Sequence, residues 1–144
     1  MRAVSCLLFL WLSVPAGAVD VPAVSRVKAV VAPEVKEGFK VREDFWTGKA
    51  KTGERQSLKH QLFRGNEYWF WLAVGKVGPV PSLKIYDEKG RPVDVETKSE
   101  EGWIAVRLLP PRTTTYTVLF VFTLPEGVKD AGEEVAWGMT YGYR

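Results

Sequence analysis

Residues that could carry out catalysis are few in this chain of 144 residues, and their pattern predicts no catalytic site. His60 is the only histidine, and it lies on the apolar face of an alternating segment. A histidine in that setting is more often a hydrogen-bonded core or rim residue, because acid-base catalysis also needs an oriented partner. No serine lies in a G-x-S-x-G nucleophile elbow, and a single histidine would have to serve any triad. We therefore expect a protein that is not an enzyme.

Acidic residues leave one catalytic alternative, since a glycosidase needs only two well-placed carboxylates. Adjacent acidic pairs occur at Glu100-Glu101 and Glu133-Glu134. Neighbouring residues of a strand point to opposite faces, and both pairs lie in predicted loops. We interpret these pairs as solvated loop residues.

Loop carboxylates also suggest calcium as an alternative to having no cofactor at all, because Ca²⁺ prefers oxygen ligands. The candidate ligands are Asp87 with Glu88, and Asp130 with Glu133 and Glu134. Neither set follows the D-x-[DN]-x-[DN]-G pattern of a dedicated calcium loop. The sequence therefore predicts no cofactor, with calcium as the weaker alternative.

Residues 1–18 have the order of a cleavable signal peptide. Met1-Arg2 provides a positive start, an apolar run follows from Ala3 to Val14, and Ala16-Gly17-Ala18 forms a small-residue cleavage site. The apolar run is too short for a comfortable transmembrane helix, which needs roughly 20 residues. We therefore expect export to the periplasm or the extracellular space, and no stable membrane anchor after cleavage.

Cysteine content and charge exclude several further functions. Cys6, the single cysteine, lies inside the predicted signal peptide, so the remaining chain has no disulfide, thiol nucleophile or zinc-thiolate site. An exported protein without disulfides fits a bacterial envelope better than a disulfide-stapled extracellular module. The net charge of +3 is spread along the chain without a basic run, so we expect no nucleic-acid partner.

The segment from 19 to 38 is ambiguous in its pattern. Val24, Val27 and Val31 have helical spacing, but an alternating pattern can be drawn through the same stretch. Pro22 and Pro33 bracket it. A short helix, an edge strand and a linker all remain open for this segment.

From residue 39 to residue 144 the pattern is that of one β domain. Short apolar-polar alternations are separated by turn residues every eight to twelve positions, which is typical of a sandwich or small barrel. We expect an all-β, antiparallel, jelly-roll-like sandwich of seven or eight short strands, with a hairpin at 64–66. The residues that the alternation assigns to the core are Tyr68, Phe70, Leu72, Ile85, Val106, Val118 and Phe120.

The segment from 67 to 74 is apolar on both faces, which is typical of a strand that is covered on both sides or that touches a ligand. Trp69 and Trp71 share one face, and Trp103 would join them if its strand were a neighbour. Two interpretations follow: a second hydrophobic layer buried under loops or under the N-terminal segment, or a flat platform for sugar rings or a partner protein. Large aromatic residues are mostly core, which favours the buried layer.

Several motifs together resemble the bacterial pre-peptidase C-terminal domain. They are Leu62–Gly65, Tyr68–Phe70, Ile85–Gly90 and Pro111–Val118, which match L-x-x-G, Y-x-F, L-Y-D-x-x-G and P-x-T-G-x-Y-x-V over about residues 45 to 123. The resemblance implies a jelly-roll-like sandwich that accompanies exported enzymes. Two features depart from the family: Thr114 stands where the last motif often has its glycine before the tyrosine, and no protease domain is attached.

Three functions are consistent with these observations. The first is a secreted or envelope non-catalytic module with a protein-interaction or accessory role. The second is a carbohydrate-binding module that uses Trp69, Trp71 and Trp103 on its surface. A small secreted hydrolase comes last. The partner would be a protein or a polysaccharide, and the sequence leaves the oligomeric state open.

Overall fold

The computed structural model describes residues 21–129 and 132–144, which form a β-sandwich with one helix packed on its outside. The predicted signal peptide, residues 1–18, lies outside the described residues. No helix within the described ranges is long and apolar enough to cross a membrane. The elements are α1 (Val21–Lys36), β1 (Lys40–Val41), β2 (Trp46–Lys51), β3 (Gln56–Leu62), β4 (Tyr68–Val74), β5 (Val80–Tyr86), β6 (Glu96–Glu100), β7 (Trp103–Leu108), β8 (Thr114–Thr123) and β9 (Glu134–Tyr143).

The strands form two antiparallel sheets that face each other. The larger sheet has the order β1-β9-β4-β7-β6, with β2 also pairing with β9, and the smaller sheet has the order β3-β8-β5. Most consecutive strands therefore cross from one sheet to the other, which is the jelly-roll-like connectivity expected from the sequence. The described part of the chain has nine strands, whereas the sequence predicted seven or eight. The prediction was too low because the two-residue strand β1 and the fully exposed strand β6 have little apolar alternation to recognise.

The core between the sheets consists of the inward-facing residues of both. All seven core residues named from the alternation are at most 3% exposed, so that prediction is confirmed. Val135, Trp137 and Met139 of β9 complete the same layer. Burial of such side chains, at roughly 25 cal/mol per Å² of apolar surface, supplies the main favourable free energy of folding.

The predicted turn at 64–66 is present, but the predicted hairpin is wrong, because the strands on either side of the turn do not pair with each other. Gly65 has φ of 95°, as a tight turn requires, and the Asn66 amide donates to the Phe63 carbonyl at 3.3 Å. However, β3 pairs with β8, whereas β4 pairs with β7 and β9. The turn therefore carries the chain from one sheet to the other, because a local turn signal does not specify which strand comes to lie beside the next.

The N-terminal segment left open by the sequence is a helix that covers the outer face of the larger sheet. Its buried residues are Ala23, Val27, Val31 and Glu34, which recur every three or four positions and therefore share one face. Pro22 lies in the first turn, where a missing amide proton costs nothing, and Gly38 follows the helix with φ of 95°. The helix packs against β4 and β9.

Candidate ligand-binding cleft between the sheets

The structure brings the three predicted tryptophans together, but on a covered face. Trp69 and Trp71 stack with their ring centroids 6.2 Å apart, and Trp103 packs against the same cluster from the neighbouring strand β7. Trp69 is 3% exposed and Trp71 is 1% exposed, because Val27 and Val31 of α1 lie over them. The exposed tryptophan platform is therefore wrong, and the buried second layer under the N-terminal segment is what the structure has.

Polar contacts fix the helix over this layer. The Lys98 ammonium of β6 lies 4.8 Å from the Trp69 ring centroid and 3.5 Å from a carboxylate oxygen of Glu34 in α1. Arg26 donates from its guanidinium to the Val74 carbonyl. A charge paired with both a carboxylate and a ring face ties the helix to the sheet edge, so the covered face is an integral part of the fold.

A different aromatic surface is open to solvent. It lies in a cleft at one edge of the sandwich, between the two sheets. We call it the aromatic cleft, and it has a volume of about 260 Å³. Strands β3 and β9 and the turn that leads into β4 supply its lining. The lining residues are His60, Gln61, Phe63, Asn66, Tyr68, Tyr141 and Tyr143.

The rings around the aromatic cleft pack in a continuous series. The His60 ring centroid lies 4.5 Å from that of Tyr141, and Trp46 stacks on Tyr141 at 5.7 Å. Tyr68 lies between Tyr141 and Tyr143, at centroid distances of 6.4 and 6.2 Å. Tilted and offset rings at these distances are favourable aromatic pairs. The series therefore holds its own shape without a ligand.

The polar atoms of the aromatic cleft are held in place on its Tyr68 side. The Tyr68 hydroxyl oxygen accepts from the Phe63 amide at 2.9 Å and from the Asn66 side-chain amide at 3.3 Å. These two bonds use acceptor positions, so the hydroxyl proton remains able to donate to a bound group.

His60 sits half-buried in the aromatic cleft and is surrounded by rings rather than by acids. Burial lowers the pKa of His60 below its ordinary value of 6.5, and the positive charge of Arg42 lowers it further. Both effects disfavour the charged imidazolium. The ring is therefore held neutral at pH 7, with one nitrogen that donates and one that accepts.

Arg42 is not part of the lining, but its side chain lies against Tyr141, which is, and we call this position the rim of the cleft. Its guanidinium lies 5.1 Å from the Trp46 ring centroid and 5.9 Å from that of Tyr141. Its nearest acidic group is the Asp44 carboxylate, at 3.9 Å and 87% exposed. Such a long, solvated ion pair contributes little, so the guanidinium can pair with another anion.

A larger cavity of about 570 Å³ lies between the start of α1, the loop 75–79 and the start of β9. Its lining is mainly apolar and includes Lys49, Lys76 and Lys129. The aromatic cleft instead combines aromatic rings with several converging polar groups, so we place the candidate site there.

The first calcium candidate has its carboxylate engaged in a turn. One oxygen of Asp87 accepts from the Lys89 and Arg91 amides at 2.9 Å each, and the other accepts from the Arg91 side chain at 3.1 Å. Glu88 pairs with Arg112 at 3.6 Å. Asp130, of the second candidate, lies outside the described residues. Within the described ranges, no three acidic, histidine or cysteine side chains are grouped so that they could hold a metal ion.

Sequence reasoning missed the aromatic cleft because its residues are 83 positions apart along the chain, from His60 to Tyr143. One signal was available in β9, where Trp137, Met139, Tyr141 and Tyr143 occupy alternate positions. The first two are buried, Tyr141 is half-buried and Tyr143 is 39% exposed. The inward-facing side chains of this strand therefore lie in the core at its start and in the cleft at its end.

Comparison with known proteins gives no assignment for the chain. No family model matches it, and no curated protein matches it either. The function is therefore argued from the fold and from the aromatic cleft.

Proposed function

We propose that this protein is an exported, non-catalytic β-sandwich module that binds its ligand in the aromatic cleft and so serves other exported proteins in an accessory role. The observation that carries the proposal is the convergence of three tyrosines, a neutral histidine and two amide side chains on one open cleft. Binding sites are commonly built in this way, from aromatic surface with a few well-placed polar groups.

The surroundings of His60 support binding rather than catalysis. A histidine that acts as a base is usually oriented by a carboxylate. Here the ring contacts Trp46 and Tyr141, and the charge that acts on it is the guanidinium of Arg42. A neighbouring cation weakens the imidazole as a base, so His60 is better suited to hydrogen bonding a ligand.

Export and the accessory role are proposed from the sequence. The order of charge, apolar run and small residues in positions 1–18 supports a signal peptide. The resemblance to pre-peptidase C-terminal domains supports an accessory module, and the observed jelly-roll-like strand order agrees with the fold that the resemblance implies. Fold alone does not decide function, so the cleft carries the argument.

A ligand panel tests the proposal. The purified protein would be titrated with monosaccharides and with capped amino acids, while amide and histidine ring signals are followed by nuclear magnetic resonance. We expect at least one class to shift the signals of His60, Tyr141 and Tyr143. Tyr143→Ala should weaken that binding about tenfold or more, since ring stacking contributes on the order of 1–3 kcal/mol.

The matched control is Tyr86→Ala, which removes a half-exposed tyrosine from the other face of the molecule. Tyr86 lies on the solvent side of the smaller sheet, so its loss should leave binding unchanged. Binders that shift only signals away from the cleft, or that respond equally to both variants, would contradict the proposal.

A further inference from the structure

The aromatic cleft is small and has polar groups on its edge, which restricts what it can hold. A volume of about 260 Å³ is below the range of roughly 300–1,000 Å³ that is typical of larger organic ligands, so one ring is the natural occupant. His60, Gln61, Asn66 and the tyrosine hydroxyls offer donors and acceptors around it. A purely apolar side chain would leave these groups without partners, which is costly.

A carbohydrate ring satisfies both features of the lining. Its C–H face is weakly positive and packs on the negative face of an aromatic ring, here the 39% exposed Tyr143, because Trp46 and Phe70 already stack on Tyr141. Its hydroxyl groups both donate and accept, as the amides, the imidazole and the Tyr68 hydroxyl require.

The charge around the cleft selects among carbohydrates. None of the seven described residues that line it is acidic. Arg42 lies over Trp46 and Tyr141 at the rim, and Asp44 holds it only loosely. A guanidinium pairs well with a carboxylate, because its planar fork can donate two parallel hydrogen bonds.

We propose that the aromatic cleft binds one acidic sugar ring, with the ring stacked on tyrosine and its carboxylate paired with Arg42. This inference rests on the proposed function and names the ligand class for the same site. The ligand is a carbohydrate that carries a carboxylate, such as a uronic acid residue of a polysaccharide.

Two probes that differ only at the carboxylate test the inference. Methyl glucuronide and methyl glucoside share one ring, and acetate supplies the carboxylate without the ring. We expect the glucuronide to bind about fivefold more tightly than the glucoside, and acetate more weakly than either, since a partly solvated ion pair adds modestly to the stacking.

In Arg42→Gln the glucuronide and the glucoside should bind with about the same affinity, because the preference for the carboxylate is lost while the glucoside still binds. The variant should fold, because the substitution keeps the backbone hydrogen bonds of Arg42: its amide donates to the Tyr141 carbonyl and its carbonyl accepts from the Thr140 hydroxyl. Arg42→Lys should keep part of the preference. Lys84→Gln removes the same charge from an exposed position in β5 and should change nothing.

The ring signals of His60 provide a second readout at the same place. A bound carboxylate offsets the charge of Arg42, so the glucuronide should raise the pKa of His60, whereas the glucoside lacks that effect. Equal affinities for the two sugars, or a preference that survives Arg42→Gln, would overturn the inference. If capped amino acids bind in the cleft and neither sugar does, the inference fails and the proposed function stands. If no probe of any class binds there, both fail.

Discussion

His60 gives the protein a pH dependence that can be assigned to one residue, because the chain has no other histidine. Its pKa is lowered in the folded state by burial and by the nearby Arg42. The unfolded chain therefore takes up the proton first as the pH falls through 6.5. The stabilisation is complete above that pH and is lost as the pH falls through the lower pKa of the folded state.

Urea denaturation at a series of pH values from 5 to 7.5 checks this expectation. The free energy of unfolding of the unmodified protein should rise with pH across the range. In His60→Gln the rise should be absent, since the substituted amide does not titrate. A slope that persists in the variant would show that another group is responsible.

Gly142 occupies a position where a side chain does not fit. A Cβ atom there would lie 3.1 Å from both the Lys40 carbonyl oxygen and the Trp71 ring. Backbone and a buried ring cannot move freely, so we expect Gly142→Ala to lower the free energy of unfolding by about 1–3 kcal/mol. The measurement is chemical denaturation of the purified variant.

Gly138 of the same strand provides the control for that substitution. A Cβ atom at Gly138 would meet Val24 and Ala23 of α1 at 3.4–3.5 Å, which is close to ordinary contact. Gly138→Ala should therefore cost clearly less than Gly142→Ala. Equal losses would mean that an effect common to both strand positions, rather than the contact with Trp71, sets the cost.

At the scale of elements, α1 is the cover of the tryptophan layer, and Val27 is its fully buried anchor. Val27→Asp would bury a carboxylate against Trp71, at a cost of at least about 2 kcal/mol. We expect the helix to loosen from the sheet, so that Trp69 and Trp71 become accessible to acrylamide quenching. Fluorescence measured at neutral pH checks the exposure of the rings.

Val35→Asp is the matched substitution at a solvent-exposed position of the same helix, where Val35 is 50% exposed. It adds the same charge and removes the same β-branched residue, so it should leave quenching and stability almost unchanged. Greater quenching in both variants would indicate that the helix tolerates no added charge, and that burial of Val27 is not the cause.

Local sequence was sufficient to predict most of the elements. It was insufficient where contact with a distant part of the chain decides the structure. The alternation around Phe70 and Val118 identified core positions correctly, because side chains of a strand alternate between faces whatever its neighbours are. The turn at Gly65 was also recognisable. The helix at 21–36 was not decided, since its valines fit two periods and only its contact with the sheet selects one.

At the scale of the whole molecule, the position of β9 explains why the sequence did not indicate the aromatic cleft. This last strand pairs with β1, β2 and β4, so it brings Tyr141 and Tyr143 beside residues of β3 and β4 from the first half of the chain. Such long-range pairing leaves no local signature. The sequence therefore singled out the tryptophans, as a buried layer or as a surface, whereas the tyrosine surface required the topology.

The proposed export concerns the whole chain and can be checked directly. Expression of the full-length protein in a bacterial host should give an exported form that begins at Val19, because Ala16-Gly17-Ala18 fits the cleavage site. N-terminal sequencing measures this. Ala18→Trp should block cleavage, since the site requires small residues. An exported protein that still begins at Met1 would contradict the expectation.

The position of a bound ligand tests the central claim most directly. The crystal structure of the protein with the tightest binder of the ligand panel should show it between the sheets, stacked on Tyr143 and within hydrogen-bond distance of His60 or Asn66. A ligand ordered in the cavity beside Pro22 and Lys76, or on the outer face of the smaller sheet, with the aromatic cleft empty, would contradict the assignment of this cleft as the binding site.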